Sequence, residues 1–287
     1  MGASLCWSLS GIFIHYLSRS LGVICQNGFR YLSASLFLFL IVRLAFRDRL
    51  CPSRRSLGFL ALTALFGTVF QMLFSKGLYL IQPGTAALLS QIGVIPVVLL
   101  MAFLHPEERR TAKSPLFILC NLVMLGGVAL VIVFKRGAAF DFNAGASLII
   151  ASQLGWTLYT AFIKRALEDT HPLVAMAYVS LFIAVFHFII GLPQGAMGDI
   201  TRVPAGIVAV VFFSGILSIA FPHTLYYSAI RKVGAVLSNS ILLLSPIVAC
   251  IVSFFIFGET LTIPQMAGGV LLILGAYLTT HVQYGGV

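Results

Sequence analysis

The chain is apolar in long blocks that break at charged, Pro and Gly-rich positions. About 20 consecutive apolar residues cross the hydrocarbon layer of a membrane as a helix. Ten blocks of that kind can be cut, over residues 2–17, 24–46, 57–81, 84–104, 115–134, 143–163, 172–192, 204–230, 235–257 and 264–283. The connecting loops are short and leave no room for a soluble domain. The pattern predicts an all-α membrane protein with ten transmembrane helices.

Two blocks carry the same interruption. LLSQIGVIPVVLLMAF (Leu88 to Phe103) has Pro96 near its centre, and SNSILLLSPIVACIVSF (Ser238 to Phe254) has Pro246 in the same place. The repetition extends along the chain. LCWSLSGIFI (Leu5 to Ile14) aligns with LGWTLYTAFI (Leu154 to Ile163), setting Trp7 on Trp156; Gly84 and Pro96 fall on Gly234 and Pro246; MLGGVAL (Met124 to Leu130) aligns with ILGAYLT (Ile273 to Thr279). Residues 1–134 and 143–283 therefore read as one five-helix unit stated twice. An odd number of helices per unit makes the second copy enter from the opposite side, so the repeats are inverted. Inverted repeats with Gly or Pro breaks at matching positions are the architecture of many secondary transporters. A proline frees a backbone carbonyl and bends a membrane helix where neighbours or water re-satisfy it, so Pro96 and Pro246 are expected to kink their helices and shape a central cavity.

Composition agrees. Hydrophobic residues make up 60% and charged residues 9% of the chain, against about 25% charged in a soluble domain. The net charge of +10 is distributed by side rather than clustered. With the N-terminus in the cytoplasm, Arg43, Arg47, Arg49, Arg54, Arg55, Arg109, Arg110, Lys113, Lys164, Arg165, Arg231 and Lys232 lie inside, and Arg19, Lys135, Arg136 and Arg202 outside. That is the positive-inside asymmetry. It puts both termini in the cytoplasm and makes membrane lipid, not nucleic acid, the expected partner. The first block follows Met1 with no basic region and no small-residue cleavage site, so no removable signal peptide is expected. Five cysteines without a CxxC spacing suggest neither a metal site nor a disulfide framework. Short loops and short tails favour a bacterial inner membrane.

The residues also carry a family likeness. CWSLSGIFI and GWTLYTAFI, FRYLSA in the second helix, GLYLIQPGTAALL followed by Pro96, SAIRKVGAVLS followed by Pro246, and FGETLT before GGVLLILGAYL together resemble the drug/metabolite transporter superfamily, in its EamA-type ten-helix branch. The first half departs at HPEERR, where Glu107 and Glu108 come early relative to Glu259. The resemblance implies a carrier of amino acids, sugars, nucleotide-sugars, organic anions or other small metabolites. Such carriers are often exporters, and their cavity is lined by the first, third and fourth helices of each half.

Site chemistry is read mainly from what the spans contain. The eight carboxylates, Asp48, Glu107, Glu108, Asp141, Glu168, Asp169, Asp199 and Glu259, all fall in loops or at helix ends. A cation pump needs an intramembrane acid, so neutral, zwitterionic or anionic cargo fits better. There is no Ser-His-Asp arrangement, HExxH pair, P-loop or GxGxxG, so neither an enzyme nor a cofactor is expected. Ser4, Trp7, Ser8, Gly11 and His15 form a stripe on the first helix; Gln153, Trp156, Thr157, Thr160 and Lys164 form its counterpart. Trp7, Gln153 and Trp156 are candidate cavity residues. Gln71, Tyr79, Gln91, His223, Tyr226, Tyr227 and Asn239 need partners inside a bilayer, which a substrate or a neighbouring helix can supply. Lys76, Arg30 and His15 lie toward the outer ends of their helices. The long ones are expected to snorkel to the headgroups, with Lys76 also a candidate for a basic vestibule. His223 beside Pro222 interrupts the eighth helix; His187 reads as structural. Gly126 and Gly275 permit close packing within a protomer or in a homodimer.

The reading that follows is a secondary transporter of a small organic metabolite, an amino acid or relative favoured, working by alternating access and outward. The alternatives are a carrier of sugar phosphates or nucleotide-sugars, which would need two deep basic groups, and a lipid-handling membrane protein.

Overall fold

The computed structural model describes residues 2–45, 51–81, 83–133, 143–244 and 262–284, and among them it is helical without a strand. The first helices are α1 (Gly2–Leu17), α2 (Val23–Ala45) and α3 (Arg54–Leu80). The next passage starts as α4 (Pro83–Leu89), tightens to a 3-10 turn at Ser90–Gly93 and continues as α5 (Val94–Leu104). The short α6 (Pro106–Lys113) leads to α7 (Pro115–Val133), α8 (Ala144–Ala166) and α9 (Pro172–Gly191). Then come α10 (Ala205–Gly215), a π turn at Ile216–Ala220, α11 (Phe221–Val233), α12 (Ala235–Ile241) and α13 (Ile263–Tyr284). Five stretches are long and apolar enough to cross a membrane: Val23–Ala45, Arg54–Leu80, Ala144–Ala166, Pro172–Gly191 and Ala205–Val233. Shorter apolar helical stretches occupy Cys6–Leu17, Ser90–Leu104, Pro115–Gly127 and Met266–Thr279.

Local chemistry sets the boundaries. Ser53 and Asn143 cap α3 and α8 by accepting from the amides of Ser56 and Ala146, each at 3.1 Å. Pro106 and Pro172 stand in the first turns of α6 and α9, where a missing N–H costs nothing. Gly234, at φ +85°, turns the chain from α11 into α12. A side chain there would be strained and would press on Glu108 at 2.8 Å.

The expected interruptions take definite forms. Pro96 sits in the first turn of α5, just after the 3-10 turn, so the helix tightens before the proline rather than breaking at it. Pro222 follows the π turn, in which the amide of Phe221 reaches back to Ile216 O. Pro246 and Glu259 lie outside the described residues.

Packing joins the two halves of the chain. α3 lies along α8, α2 along α9, α7 along α13 and α5 against α12, with α1 against α11. Glycines bring these pairs together: a Cβ at Gly155 would meet the backbone of Phe70 at 3.0 Å, so α8 and α3 approach main chain to main chain. Without a hydrophobic drive inside lipid, such close approach is what holds membrane helices. Gly275 faces Cys120 O of α7 in the same chain, while Gly126 has open space around it.

Candidate functional site

Where α1, α8, α11 and α12 meet, aromatic rings close on each other. Trp7 stands edge-on to Trp156, with ring centroids 5.6 Å apart and planes at 86°. Trp7 also stands edge-on to His223, at 4.8 Å, and to Tyr226, at 5.4 Å. Trp156 stacks on Tyr159 at 5.1 Å and on Tyr226 at 5.4 Å, with Phe70 of α3 tilted against it at 5.2 Å. Edge-to-face and offset contacts are the favoured geometry for rings whose faces are negative and edges positive.

A polar network runs through the rings. The Trp156 Nε1–H donates to Asn239 Oδ1 at 3.0 Å, and Asn239 Nδ2 donates to the Tyr226 hydroxyl at 2.7 Å. That hydroxyl meets Thr160 Oγ1 at 3.2 Å, and the Tyr159 and Tyr227 hydroxyls bond to each other. His223 Nδ1 lies 3.3 Å from Trp7 Nε1 and 3.0 Å from Ile219 O. One nitrogen cannot serve both: it accepts from Trp7 when bare and donates to Ile219 O when protonated. The tautomer of His223 thus decides whether this hydrogen bond between α1 and α11 is made.

Beside this lies an amide cluster between α2 and α3. Asn27 Nδ2 donates to Ser75 Oγ at 3.1 Å, Gln71 Nε2 donates to the same oxygen at 3.2 Å, and Tyr31 donates to Gln71 Oε1 at 3.4 Å. His187 stacks on Tyr31 with its Nδ1 at 2.8 Å from Ile183 O.

Of the candidate residues, Trp7, Trp156, His223, Tyr227 and Asn239 come together in the aromatic site, and Gln71 falls in the amide cluster. Tyr79 instead joins Gln26 and Leu21 O, both at 2.6 Å. Gln91 bonds back to Ala87 O at 3.0 Å, and Gln153 bonds to Ile149 O at 3.2 Å while pressing on Gly93 of the 3-10 turn. Lys76 is exposed and apart from the rings. Arg30 corrects an expectation: it does not snorkel but is 0% exposed, held by serines from α1, α10 and the π turn. Its length made a headgroup contact plausible; the serines facing it from distant parts of the chain could not be seen in one helix. Tyr159, Thr160, Asn27 and Ser75 also belong to these clusters. Tyr159 lies three residues after Trp156, the one signal that could have found it.

One end of the assembly is closed by charge. Glu108 of α6 is 5% exposed and accepts from the amides of Ala235 at 2.6 Å and Val236 at 3.0 Å, capping α12. Lys164 at the end of α8 reaches Glu108 at 2.5 Å and Glu107 at 3.2 Å. The backbone amide of Glu107 and the neighbouring Lys164 hold the Glu107 carboxyl below its ordinary range. Burial, then Lys164, pushes the His105 imidazole down. The three carboxylate contacts of Glu108 tie α6, in the first half, to two helices of the second. The rings and their hydrogen bonds make up the site; this ion pair fastens its end.

Comparison with known proteins decides what such an assembly belongs to. The chain matches the EamA-like transporter family over residues 1–133 and 143–281. It is a member of that family. An uncharacterized protein of Pseudomonas aeruginosa is 30% identical over 243 residues, 83% of this chain and 77% of that one. An uncharacterized transporter of Bacillus subtilis is 25% identical, covering 78% and 72% of the two chains. A probable terminal-alkyne amino-acid exporter of Streptantibioticus cattleyicolor is 26% identical, covering 82% and 76%. A solved crystal structure superposes with a TM-score of 0.76 at 16% identity, over 99% of this chain and 96% of its own, and shares the fold. The EamA-type chain is thus a multi-pass integral membrane protein of a transporter family.

Proposed function

We propose that this EamA-family chain is a secondary transporter that carries a small organic metabolite, an amino acid or close relative, outward by alternating access. The observation that carries the reading is the meeting of Trp7 and Trp156, one from each half, in a ring cluster threaded by Asn239, Tyr226 and His223. Rings offer an apolar body a face to stack on, and the amide, phenol and imidazole offer a polar head its hydrogen bonds. In the described state these groups satisfy each other, so cargo would enter by replacing ring-to-ring and network contacts.

The packing supports a pair of inverted five-helix halves, 1–134 and 143–283, making ten crossings with both termini cytoplasmic. The second helix of one half lies on the second of the other (α2 on α9), the fourth on the fourth (α5 on α12) and the fifth on the fifth (α7 on α13). The contact of α3 with α8 is answered by that of α11 with α1. Those are the pairs that a two-fold axis between the halves would generate. The amino-acid exporter among the relatives supports the cargo class and the direction. A bacterial inner membrane is the proposed location.

The test is a thermal-shift screen of the purified protein against amino acids, organic acids, sugar phosphates and organic cations, repeated with Trp156→Ala. Stabilisation by amino acids that disappears in the variant is the expected result. Stabilisation by organic cations, or hits indifferent to Trp156, would overturn it.

A further inference from the structure

Arg30 of α2 is a buried charge, 0% exposed, without a carboxylate partner within ion-pair distance among the described residues. Its Nε donates to Ser214 Oγ at 3.1 Å, and its Nη2 donates to Ser218 Oγ at 2.8 Å and to Ser10 Oγ at 3.2 Å. Its Nη1 is buried with no acceptor among the described residues.

These serines are not substitutes for a counter-ion. Ser214 Oγ donates onward to Val211 O at 2.9 Å and Ser218 Oγ to Ser214 O at 2.6 Å, so their lone pairs face the guanidinium and their protons are spent. The hydroxyls orient the group but leave its charge whole, and a buried charge is tolerated in a membrane protein where something opposite comes to meet it. A residue that served only to bolt α1, α2 and α10 together could be a neutral amide, which reaches hydroxyls without the cost of burying a charge. The backbones are also held close here: a Cβ at Gly215 would strike Ser33 Oγ and Arg30 O.

The cluster borders the aromatic site. Ser10 is half-buried and stands one turn beyond Trp7 on α1. Ser218 immediately precedes Ile219, whose carbonyl approaches His223. The π turn that carries Ser218 is a form of backbone found disproportionately at functional positions.

We propose that Arg30, through its unpaired Nη1 and the rotatable hydroxyl of Ser10, is an anion site that receives a single negative charge during the transport cycle. The carboxylate of the cargo and a free halide share the chemistry that would satisfy it. The site stands on its own geometry; its assignment to cargo rests on the transport reading above.

The experiment is a set of thermal-shift titrations of the full purified chain in chloride-free Tris–sulfate buffer. The probes are sodium chloride, sodium benzoate and L-phenylalanine, set against the uncharged-head partners benzamide and L-phenylalaninamide. The site predicts saturable stabilisation by at least one of the three anionic-head probes and none by the amides. Arg30→Gln should weaken the apparent affinity at least tenfold; Ser10→Ala, which keeps the guanidinium and answers if Arg30→Gln does not fold, should weaken it about threefold. Protection by benzoate and L-phenylalanine assigns the site to a cargo carboxylate, and protection by chloride alone assigns it to a halide. Absence of saturable stabilisation by all three, or equal stabilisation in both variants, overturns the site. Amino-acid binding that depends on Trp156 but is unchanged in Arg30→Gln and Ser10→Ala would remove the anion site and leave the transport reading standing.

Discussion

Helices α1 and α8 begin from the same motif and end in different surroundings. Trp7 is half-buried and its N–H faces a histidine whose nitrogen has another claimant; Trp156 is 8% exposed, stacked between rings and bonded to an amide at 3.0 Å. The end of α8 is fastened by Lys164 to Glu107 and Glu108, whereas His15, its counterpart on α1, meets only the carbonyl of Leu78 at 3.0 Å among the described residues. Similar sequence does not impose similar contacts, because the corresponding neighbours, α11 for α1 and α3 for α8, differ in the side chains they present. That inequality is also what the proposed cycle requires. Two halves that exchange shapes must differ in any single state, one held and the other loose.

The largest effect expected from breaking the comparison is at the tryptophans. Trp156→Ala should cost about 3–4 kcal/mol of unfolding free energy in mixed micelles titrated with SDS, as ring removal from a packed core does. Trp7→Ala should cost about half as much. Equal costs would mean that α1 is held as firmly as α8.

Next comes the fastening at the end of α8. Glu108→Ala takes the buried partner from Lys164, leaving it the exposed Glu107, and uncaps α12, an expected loss of about 2–3 kcal/mol in the same assay. Adding Lys164→Ala should then cost little more, since the pair that remains, with the exposed Glu107, is a solvent-screened one. His15→Ala on the other half should stay within about 1 kcal/mol of the parent. A larger loss at His15 than at Glu108 would reverse the assignment of held and loose halves.

How far the site could be read from the sequence follows from the same residues. The Trp7–Trp156 correspondence was visible as a repeat, and His223, Tyr227 and Asn239 stood out as polar groups in apolar spans. Their convergence joins positions as far apart as Trp7 and His223, separated by 216 residues, and periodicity within a helix carries no information across that distance. Arg30 shows the limit from the other side. Length and position near a helix end suggested a headgroup contact, and only serines on distant helices reveal why it is buried.

The smallest expected effect is in pH. Burial holds His105 below its ordinary value of 6.5, so the folded chain binds that proton less readily than the unfolded one. Its contribution to stability is full above pH 6.5 and is lost as pH falls from there through the lowered folded value. A melting temperature that drops between pH 7.5 and 5.5, by less in His105→Gln, is the expected outcome. A drop of the same size in both would assign it elsewhere, and His171, also lowered by burial, is the next residue to replace.

The sequence by itself determined that the chain is helical and apolar enough for a membrane, where most of its helices begin, and that two stretches with a tryptophan are related. Those are properties of local composition and of transfer between water and lipid, which each segment obeys alone. The tertiary structure decided which polar groups share a partner. It set Asn239 under Trp156 rather than beside a neighbour on its own helix, turned Glu108 into the cap of α12, and enclosed Arg30 among hydroxyls. Inside a bilayer every polar group must find a partner within the protein, its cargo or trapped water, and which one it finds depends on how helices far apart in sequence are brought side by side.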